Sequence, residues 1–514
     1  MTSKGNSTPK KRAVAATAKL QARNADRYDV VIVGAGPAGS TLAWRLASQG
    51  VKTLLLDSAR FPREKVCGDF VEPRGLSLLD KMGCLQTLQE TFPLPIEYSS
   101  TYIDSKRCYI GRIPFYGVHK HLPAHGYIVP RDILDKVILE AAVAAGVAVR
   151  QETYVSDFST DKSGVTTAAS CRGSRVVYRS RMIVGADGAN SVVARHAGLL
   201  VNDPRHIALS QRAYADGYEG EIGEAAFFFD GDFFPGYGWM FPMRNGRVNL
   251  GVGMLKETCQ RAGIAVPALF HDFFEKLKRS HPRCGKLKLV RPPIGGIVKT
   301  YGGAGPNYFD KGLLIGDAGC FVDPMTGEGI TPAMESALIA SQVIVSALRK
   351  GRLNRASLSG YEKAYRSYFD PSMIFADLCA STLRNPNYWE SWKRALVRGC
   401  ELSQRDTKFA ATAGACFGGL EINPSAILAE LWMKTAESLL GTGLQSVLDF
   451  TDGRADAIFQ TLRDTTSWIS DTWGSILEDP LWHASWAMDV QRTWVHALSI
   501  IGKQLPDPRT KGLI

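Results

Sequence analysis

The chain has 514 residues, 45% of them hydrophobic and 22% charged, a composition typical of folded globular proteins that argues against intrinsic disorder. Its net charge of +11 allows an anionic partner such as a membrane surface, but no base-reading motif accompanies it, so we expect no nucleic-acid binding. The ten cysteines form no CxxC pair and no uncharged apolar run reaches the ~18–20 residues that span a bilayer, which argues against a zinc site, a redox dithiol and an integral membrane protein.

The first residues form a basic segment that differs in composition from the rest. Residues 1–26 are rich in Ser, Thr, Ala, Lys and Arg and contain a single acid, Asp26. This composition is typical of an organelle transit peptide and also of a disordered basic tail. We therefore expect a flexible tail over 1–27 on a cytoplasmic protein, with organelle import as the alternative.

A strand, a glycine-rich turn and a helix open the folded part of the chain. The run YDVVIVG predicts a buried strand, and Gly34, Gly36 and Gly39 form a GxGxxG turn before the helix PAGSTLAWRLASQG. Such a turn lets a pyrophosphate approach the backbone and face the free N–H groups of the helix start. Asp57 ends the next strand, where its carboxylate would accept hydrogen bonds from a ribose. The predicted dinucleotide site also includes Pro37, Ala38 and Ser58.

The middle of the chain adds strands of a second kind. The helix RDILDKVILEAAVAAG and a strand-rich segment ending in RMIVGADGANS extend the first domain. The runs IALSQRAYAD, EAAFFFD, GYGWMFP and RVNLGVGM predict short strands divided by Gly, Pro and Asn. We predict a Rossmann-like α/β cofactor domain, an inserted antiparallel β substrate domain and a helical C-terminal region. The predicted ranges are 28–95, 131–200 and 306–350 for the cofactor domain, 96–130 and 201–305 for the substrate domain, and 351–514 for the helical region.

The stretch GLLIGDAGCFVDPMTGEGITPAMES indicates which dinucleotide binds. An apolar strand ends at Asp317, and Gly327 and Gly329 precede a helix that begins near Ile330. FAD extends across its fold and needs a second strand end for its ribityl hydroxyls and a helix start beside its flavin ring. Because NAD needs neither, we predict FAD, with Pro324 included in its site.

The C-terminal region is rich in tryptophan. Eight of the ten tryptophans fall in it, at positions 389, 392, 432, 468, 473, 482, 486 and 494. Such a region is typical of packed helices, and with its flanking Arg and Lys it is also typical of a surface that lies on a membrane. Both interpretations stay open, and the second predicts a peripheral membrane protein.

Several motifs together resemble one group of FAD enzymes. The GxGxxG turn with GADGANSVVAR and GDAGCFVDPMTGEGI resembles the p-hydroxybenzoate hydroxylase fold. Within that fold, FPREKVCGDFVEPRGLSLLDKMG, GYGWMFPMRNGRVNLGVG and DPMTGEGITPAMES resemble the geranylgeranyl reductase family. Many archaeal and plant members read CGG where this chain has Cys67, Gly68 and Asp69, so it is more similar to the bacterial menaquinone reductases.

The resemblance implies a function and a set of site residues. Family members reduce isolated C=C bonds of polyprenyl chains, which implies an FAD-dependent reductase with a polyprenyl lipid substrate. Cys67 and Gly68 are implied to lie near the flavin ring. Tyr237, Trp239 and Phe241 alternate along one strand, which is typical of core, but the resemblance implies that they shape the prenyl tunnel. The remaining implied contacts of FAD are Arg131 and, near its pyrophosphate and a nicotinamide donor, Asp187 and Gly188.

Other functions are compatible with parts of the same sequence. A flavin-dependent monooxygenase or halogenase is the alternative, but Gly319 and Cys320 stand where aromatic hydroxylases carry a histidine, and GYGWMFP only approximates the halogenase motif WxWxIP. The complete set of cofactor motifs argues against a non-catalytic flavin scaffold. The electron donor is NADPH, a ferredoxin or a quinol, and the oligomeric state is not predicted. We expect no metal, because no acid or cysteine joins His119, His121 and His125.

Overall fold

The computed structural model describes residues 27–92, 94–113, 122–220, 223–407, 410 and 474–501. Residues 1–26 of the predicted tail, His119, His121 and three of the C-terminal tryptophans (Trp432, Trp468 and Trp473) lie outside these residues, whereas Arg27 already belongs to the first strand. The described part confirms the predicted fold class, with one mainly parallel sheet, one mainly antiparallel sheet and C-terminal helices.

Strands dominate the first two thirds of the chain, and helices dominate the part after residue 330. The strands are β1 Arg27–Val33, β2 Thr53–Leu56, β3 Phe70–Val71, β4 Tyr98–Ile103, β5 Lys106–Arg112, β6 Tyr127–Ile128, β7 Ala148–Arg150, β8 Thr153–Asp161, β9 Gly164–Cys171, β10 Ser174–Gly185, β11 Ile207–Asp216, β12 Glu224–Phe229, β13 Tyr237–Pro242, β14 Arg247–Leu255, β15 Lys288–Leu289, β16 Ile294–Lys299, β17 Tyr308–Phe309 and β18 Gly312–Leu314. The helices are α1 Pro37–Ala47, α2 Pro73–Lys81, α3 Leu85–Thr91, α4 Arg131–Ala144, α5 Val192–His196, α6 Lys256–Ala262, α7 Val266–Ser280, α8 Ile330–Lys350, α9 Arg355–Leu358, α10 Gly360–Leu383, α11 Trp389–Arg405 and α12 Pro480–Ile501.

The first sheet has the strand order β17-β18-β10-β1-β2-β7, with β9 also paired to β10 and β8 to β9, and its strands from β18 to β7 run parallel. Both faces of β1 are buried, which explains its continuous apolar sequence. Val30 and Ile32 pack toward α1, α4 and α8, whereas Val31 and Val33 face β8, β9 and α5. The carboxyl ends of β1, β2 and β18 therefore meet at one edge, where ligands bind in sheets of this kind.

The second sheet has the order β15-β11-β14-β13-β12-β4-β5, with β16 also paired to β11. Helix α7 covers one of its faces, because its apolar residues recur at helical spacing and pack against Met240 and Leu250. The next residues along β13 point to the opposite face, so Trp239 and Phe241 form a separate aromatic cluster there. This second face is turned toward the cavity described below.

The helices after residue 350 are part of the same body. Tyr361, Tyr365 and Phe369 of α10 belong to the apolar core of the first sheet, so that core continues past the predicted domain boundary. Helix α12 is held by ion pairs of Asp489 with Arg205 (2.6 Å) and Arg384 (3.3 Å). Helix α10, which the sequence assigns to a separate C-terminal region, therefore completes the core of the cofactor domain.

Among the described residues, one helix has the length and apolar composition of a membrane span. This helix is α8, and 78% of its most apolar window is buried inside the protein. Such burial is typical of the core helix of a globular domain, so composition alone does not mark it as a span.

Candidate active site

A cavity of about 720 Å³ is lined by residues of both sheets, and its volume falls within the range of roughly 300–1,000 Å³ common for small-molecule sites. The predicted residues that line it are Gly34, Gly36, Pro37, Ala38, Asp57, Ser58, Cys67, Gly68, Arg131, Asp187, Gly188, Tyr237, Trp239, Phe241, Asp317, Pro324, Gly327, Gly329 and Ile330. Gly39 is the one predicted site residue that the structure places elsewhere.

The glycine-rich turn forms one end of the cavity. Gly34 has a φ of +101°, and a Cβ there would lie 2.3 Å from the carbonyl oxygen of Ala186. A Cβ at Gly36 would meet only the guanidinium of Arg63, at 3.5 Å, so this glycine leaves its space to a ligand. Helix α1 begins directly afterwards without a side-chain cap, which leaves its first N–H groups free for an anion. A Cβ at Gly39 would lie 1.8 Å from the carbonyl oxygen of Gly34, so Gly39 serves packing and does not touch the cavity.

Asp57 is held rigidly beside this turn. Its Oδ2 accepts a hydrogen bond from the backbone N–H of Ala35 at 2.7 Å, and its Oδ1 accepts one from Ala59 at 2.8 Å. A carboxylate can accept about four hydrogen bonds, so lone pairs stay available for ribose hydroxyls. Together with the free helix start, this arrangement fits the ADP half of FAD.

Arg131 lines the cavity and is compensated by an acid. Its Nε and terminal nitrogen bind Asp135 at 2.7 and 2.9 Å, and Arg63 binds the same carboxylate at 3.0 Å. Asp135 raises the pKa of Arg131 above its usual value although burial opposes this shift. The pair fixes a cation beside the space expected for the middle of FAD.

Asp187 lines the cavity, but its carboxylate is engaged in the local fold. Its Oδ2 accepts hydrogen bonds from the backbone N–H groups of Val192 (2.7 Å) and Val193 (3.3 Å), and Oδ1 accepts one from the Ser191 hydroxyl. Burial raises its pKa. Asp187 therefore holds the start of α5. Gly188 has a φ of +77°, and a Cβ there would lie near Lys65.

The start of α8 forms another part of the cavity wall. A Cβ at Gly329 would lie 3.6 Å from Asp317 Oδ1, and one at Gly327 would lie 3.2 Å from the Tyr237 hydroxyl. The nearest atom to a Cβ at Gly329 is Val322 Cγ2, at 3.1 Å, and Gly327 has a φ of +69°, so close packing and backbone conformation favour glycine at these two positions. The carboxylate of Glu328 accepts the backbone N–H of Thr331 at 2.8 Å. One N–H of the first turn of α8 is therefore already bound, which reduces the positive field at this helix start.

Aromatic side chains form a further wall of the cavity. Phe241 packs against Phe70 and Phe227, with ring centroids 5.9 and 5.4 Å away, and Tyr237 lies 6.2 Å from Trp239. These side chains belong to an apolar cluster and line the cavity at the same time. One face of β13 therefore packs as core and also lines the cavity, and its role as a prenyl tunnel stays a prediction.

The loop Cys67–Asp69 lies against that wall. A Cβ at Gly68 would lie 2.9 Å from Phe241, so only glycine fits without displacing the ring. Burial raises the pKa of Cys67 although nearby Arg131 opposes the shift. Asn249 donates hydrogen bonds to the Cys67 carbonyl (3.0 Å) and to Asp69 Oδ2 (2.8 Å), and it accepts one from the Trp239 indole (3.0 Å). The loop, the aromatic wall and Asp69 therefore form one hydrogen-bonded unit.

Buried acids surround the start of α8, and no sequence motif pointed to them. Arg74 lies 3.7 Å from Glu335, whose carboxylate also accepts the Tyr368 hydroxyl at 2.8 Å. Burial raises the pKa of Glu72 to about 7 and raises that of Glu328 as well. Glu72 and Glu328 line the cavity, and burial favours the protonated form of both.

Two of the residues missed from the sequence carried a weak signal. Asn249 is a polar residue between Val248 and Leu250 in an apolar strand, and it is fully buried. Asp69 appeared only as the departure from CGG. Neither pattern shows a partner, because Asp69 and Asn249 are far apart in the chain.

Known proteins resemble this chain in sequence. A family described as an FAD binding domain matches residues 27–213. Menaquinone reductase of Mycolicibacterium smegmatis is 34% identical over 331 residues, which cover 62% of this chain and 77% of that protein. Digeranylgeranylglycerophospholipid reductase 2 of Methanopyrus kandleri is 28% identical over 354 residues, which cover 68% of this chain and 85% of that protein.

Solved structures resemble the fold. A geranylgeranyl bacteriochlorophyll reductase-like protein of Thermoplasma acidophilum superposes with a TM-score of 0.65 at 22% identity, over 79% of this chain and 99% of that one. A flavin-dependent brominase superposes with a TM-score of 0.61 at 19% identity, over 80% of this chain and 100% of that one. At such identities these structures confirm the fold and do not distinguish a reductase from a halogenase.

Proposed function

This chain belongs to the geranylgeranyl reductase family of FAD-dependent oxidoreductases, and from that premise we infer that it saturates C=C bonds of an isoprenoid chain in the cavity between its two sheets. The observation that carries this function is that one cavity joins a dinucleotide cradle at Gly36 and Asp57 to an aromatic wall at Trp239 and Phe241. A long apolar substrate and FAD would meet there, at the ring end beside Gly327.

The residues around the cavity have separate tasks. FAD, when bound and reduced, supplies the hydride that is added to one alkene carbon. The Gly36 turn and Asp57 hold its ADP half, while Asp317, Gly327 and Gly329 line the part of the cavity proposed for its ring. Tyr237 and Trp239 exclude water and attract the positive charge that develops on the alkene, by roughly 0.5–2 kcal/mol of cation–π energy.

We propose that the isoprenoid is the side chain of a menaquinone. The relative from M. smegmatis, which is named for that substrate, supports this choice at 34% identity. The sequence Cys67-Gly68-Asp69 agrees with it, because the resemblance placed CGD nearer the bacterial menaquinone reductases than the CGG members.

The electron donor forms a second part of the proposal. We propose that NADPH, a ferredoxin or a quinol reduces the bound FAD without a dinucleotide domain of its own, since the sequence carries a single GxGxxG turn. Anaerobic mixing of the holoenzyme with each donor in turn, followed by flavin absorbance at about 450 nm, identifies the donor as the one that bleaches it fastest.

We also propose that the protein is cytoplasmic and attaches to the membrane surface through α12. Leu481 (84% exposed), Val495 (60%) and Leu498 (57%) lie along the outer side of this helix. An exposed apolar row on a helix is typical of interfacial binding. The positive net charge of the chain would add attraction to anionic lipids.

Anaerobic turnover tests the function against its alternative. Dithionite-reduced holoenzyme, mixed with menaquinone in detergent micelles without oxygen, should yield a product heavier by about two mass units per saturated bond. A monooxygenase or halogenase would form no product until oxygen is admitted. Oxygen-dependent product together with an unsaturated side chain under anaerobic conditions would overturn the reductase assignment.

A further inference from the structure

Saturation of an alkene needs a proton as well as a hydride, and the fold does not by itself show where the proton comes from. Five acids that line the cavity have a pKa raised by burial, namely Asp69, Glu72, Asp187, Asp323 and Glu328. Asp187 and Asp323 each accept two backbone N–H groups and are engaged in the local fold. Their surroundings differ. Glu328 already accepts the N–H of Thr331, and Glu72 lies in the acidic group around Arg74.

The two oxygens of Asp69 are in unequal environments. The side chain is fully buried, and Oδ2 accepts hydrogen bonds from the Tyr214 hydroxyl and from Asn249 Nδ2 (2.8 Å). Oδ1 is buried without a hydrogen-bond partner in the described protein. Because both donors occupy Oδ2, a proton on this carboxyl group resides on Oδ1.

The backbone holds this carboxyl group in place. Asp69 has a φ of +64°, a conformation that non-glycine residues rarely adopt, and its N–H donates to Cys67 Sγ at 3.3 Å. Arg212, also fully buried, donates to the Cys67 carbonyl at 3.2 Å and stacks on the Tyr214 ring at 4.3 Å. Strain of this kind is common where a side chain must be aimed at a substrate.

The hydrogen-bonded unit also ties Asp69 to the aromatic wall. Asn249 bridges Asp69 Oδ2 and the Trp239 indole, so the carboxyl group keeps a fixed position relative to the side chain that contacts the alkene. We propose that Asp69 is the proton donor of the reductase, delivering the Oδ1 proton to the alkene carbon that does not receive the hydride. This inference rests on the proposed function and adds the acid that completes it.

Atoms and electrons balance in this step. The π electrons of the C=C bond form a new C–H bond with the Asp69 proton, and the hydride from reduced flavin forms the other. The O–H bond of Asp69 breaks and leaves a carboxylate, which regains a proton originating in bulk water before the next turnover. The flavin loses two electrons and the alkene gains them. Tyr214 and Asn249 are positioning residues, because they contact Asp69 and not the reacting carbons.

The groups that face Asp69 set its protonation. Burial raises the pKa of Asp69 to about 6, although Arg212, Arg131 and the hydrogen bonds of Tyr214 and Asn249 oppose the shift. The rate of saturation should therefore fall about tenfold per pH unit above about 6. The falling part of this pH profile is its alkaline limb. Removing the Tyr214 hydroxyl withdraws a hydrogen-bond donor from the carboxylate, so Tyr214→Phe should move this limb to higher pH.

The principal experiment compares Asp69→Asn with Asp377→Asn in the holoenzyme. Asp377 is a matched control, because it is also buried, with its pKa likewise raised by burial to about 6, but it does not line the cavity. Single-turnover alkene saturation is measured from about pH 5 to 9. We expect Asp69→Asn to slow it by roughly 100- to 10,000-fold and to abolish the limb, and Asp377→Asn to keep both.

A second readout does not depend on activity. Infrared difference spectra of the protein between about pH 5 and 8 should show protonated carboxyl absorption that titrates near 6; one part of it should be lost in Asp69→Asn, and the part due to Asp377 should remain there and be lost in Asp377→Asn. If Asp69→Asn fails to fold or to bind FAD, the limb of Tyr214→Phe decides the question, because an unmoved limb contradicts the proposal. A wild-type rate and limb in Asp69→Asn, or loss of the limb in Glu72→Gln alone, would also overturn it. Absence of anaerobic saturation in the wild type would refute the reductase function, whereas the infrared titration would still report on Asp69.

Discussion

Within the GxGxxG turn, we expect Gly36→Ala to weaken FAD binding and Gly39→Ala to destabilise the fold. Gly36 has an ordinary φ of −72°, and a Cβ there would lie 3.5 Å from Arg63, which is a normal contact. Gly36→Ala should therefore leave the apoprotein as stable as the wild type, or more stable by about 0.4–1 kcal/mol through the unfolded chain. The methyl group occupies the space of the pyrophosphate, and overpacking of about 1–3 kcal/mol corresponds to FAD affinity roughly tenfold to hundredfold weaker.

Gly39→Ala should instead damage the fold. Its Cβ would lie 1.8 Å from the Gly34 carbonyl oxygen, whereas non-bonded contacts are about 3.5–4.0 Å, so α1 and the turn must separate by roughly 1–2 Å. This overpacking should cost at least about 1–3 kcal/mol of unfolding free energy before FAD is added.

The assays separate binding from folding. Thermal unfolding of each apoprotein is followed by far-ultraviolet circular dichroism, and FAD affinity is obtained by fluorescence titration. Gly360→Ala is the matched control, since Gly360 is exposed with nothing within 4 Å of an added Cβ, and it should change neither quantity. Wild-type FAD affinity in Gly36→Ala, or a wild-type unfolding temperature in Gly39→Ala, would refute this assignment of the two glycines.

Other variants test catalysis, the buried acids and the membrane surface. Trp239→Ala should reduce kcat about a hundredfold, because it opens the tunnel and removes the indole that donates to Asn249. A kcat equal to that of the wild type in stopped-flow turnover would contradict this expectation. Burial raises the pKa of Glu72 from its usual 4.5 to about 7, so between these pH values the folded state keeps a proton that the unfolded state loses. The free energy of unfolding of the apoprotein should therefore fall as the pH rises from about 4.5 to 7, and it should fall less in Glu72→Gln. Thermal unfolding measured across this pH range will show the difference. The protein should sediment with anionic liposomes, and this binding should weaken as the salt concentration rises. The double variant Leu481→Glu/Leu498→Glu should also bind more weakly, whereas the control Val143→Glu/Val290→Glu, at other exposed apolar positions, should bind like the wild type. Equal loss of liposome binding in the two double variants would argue against α12 as the membrane surface.

The sequence alone determined those features that depend on neighbours in the chain. The GxGxxG turn, the alternating runs of β11 to β14 and the glycines before α8 are local patterns, because a tight turn and a period of two or about 3.6 residues are properties of consecutive residues. The predicted strand IALSQRAYAD is Ile207–Asp216 in the structure. The same local reasoning placed Asp57 and Asp317 at strand ends, and parallel strands bring their ends to one edge.

Only the tertiary structure decided which of these residues meet. Gly36 and Gly39 are equivalent in the motif, but the carbonyl beneath Gly39 and the open space beside Gly36 belong to the folded turn. Asp69 lies 145 residues from Tyr214 and 180 from Asn249, so its burial and its unpaired oxygen arise only when the second sheet packs on the loop. The environment of a titratable group is set by packing between distant segments, and for this reason the candidate proton donor could be seen only in the folded protein.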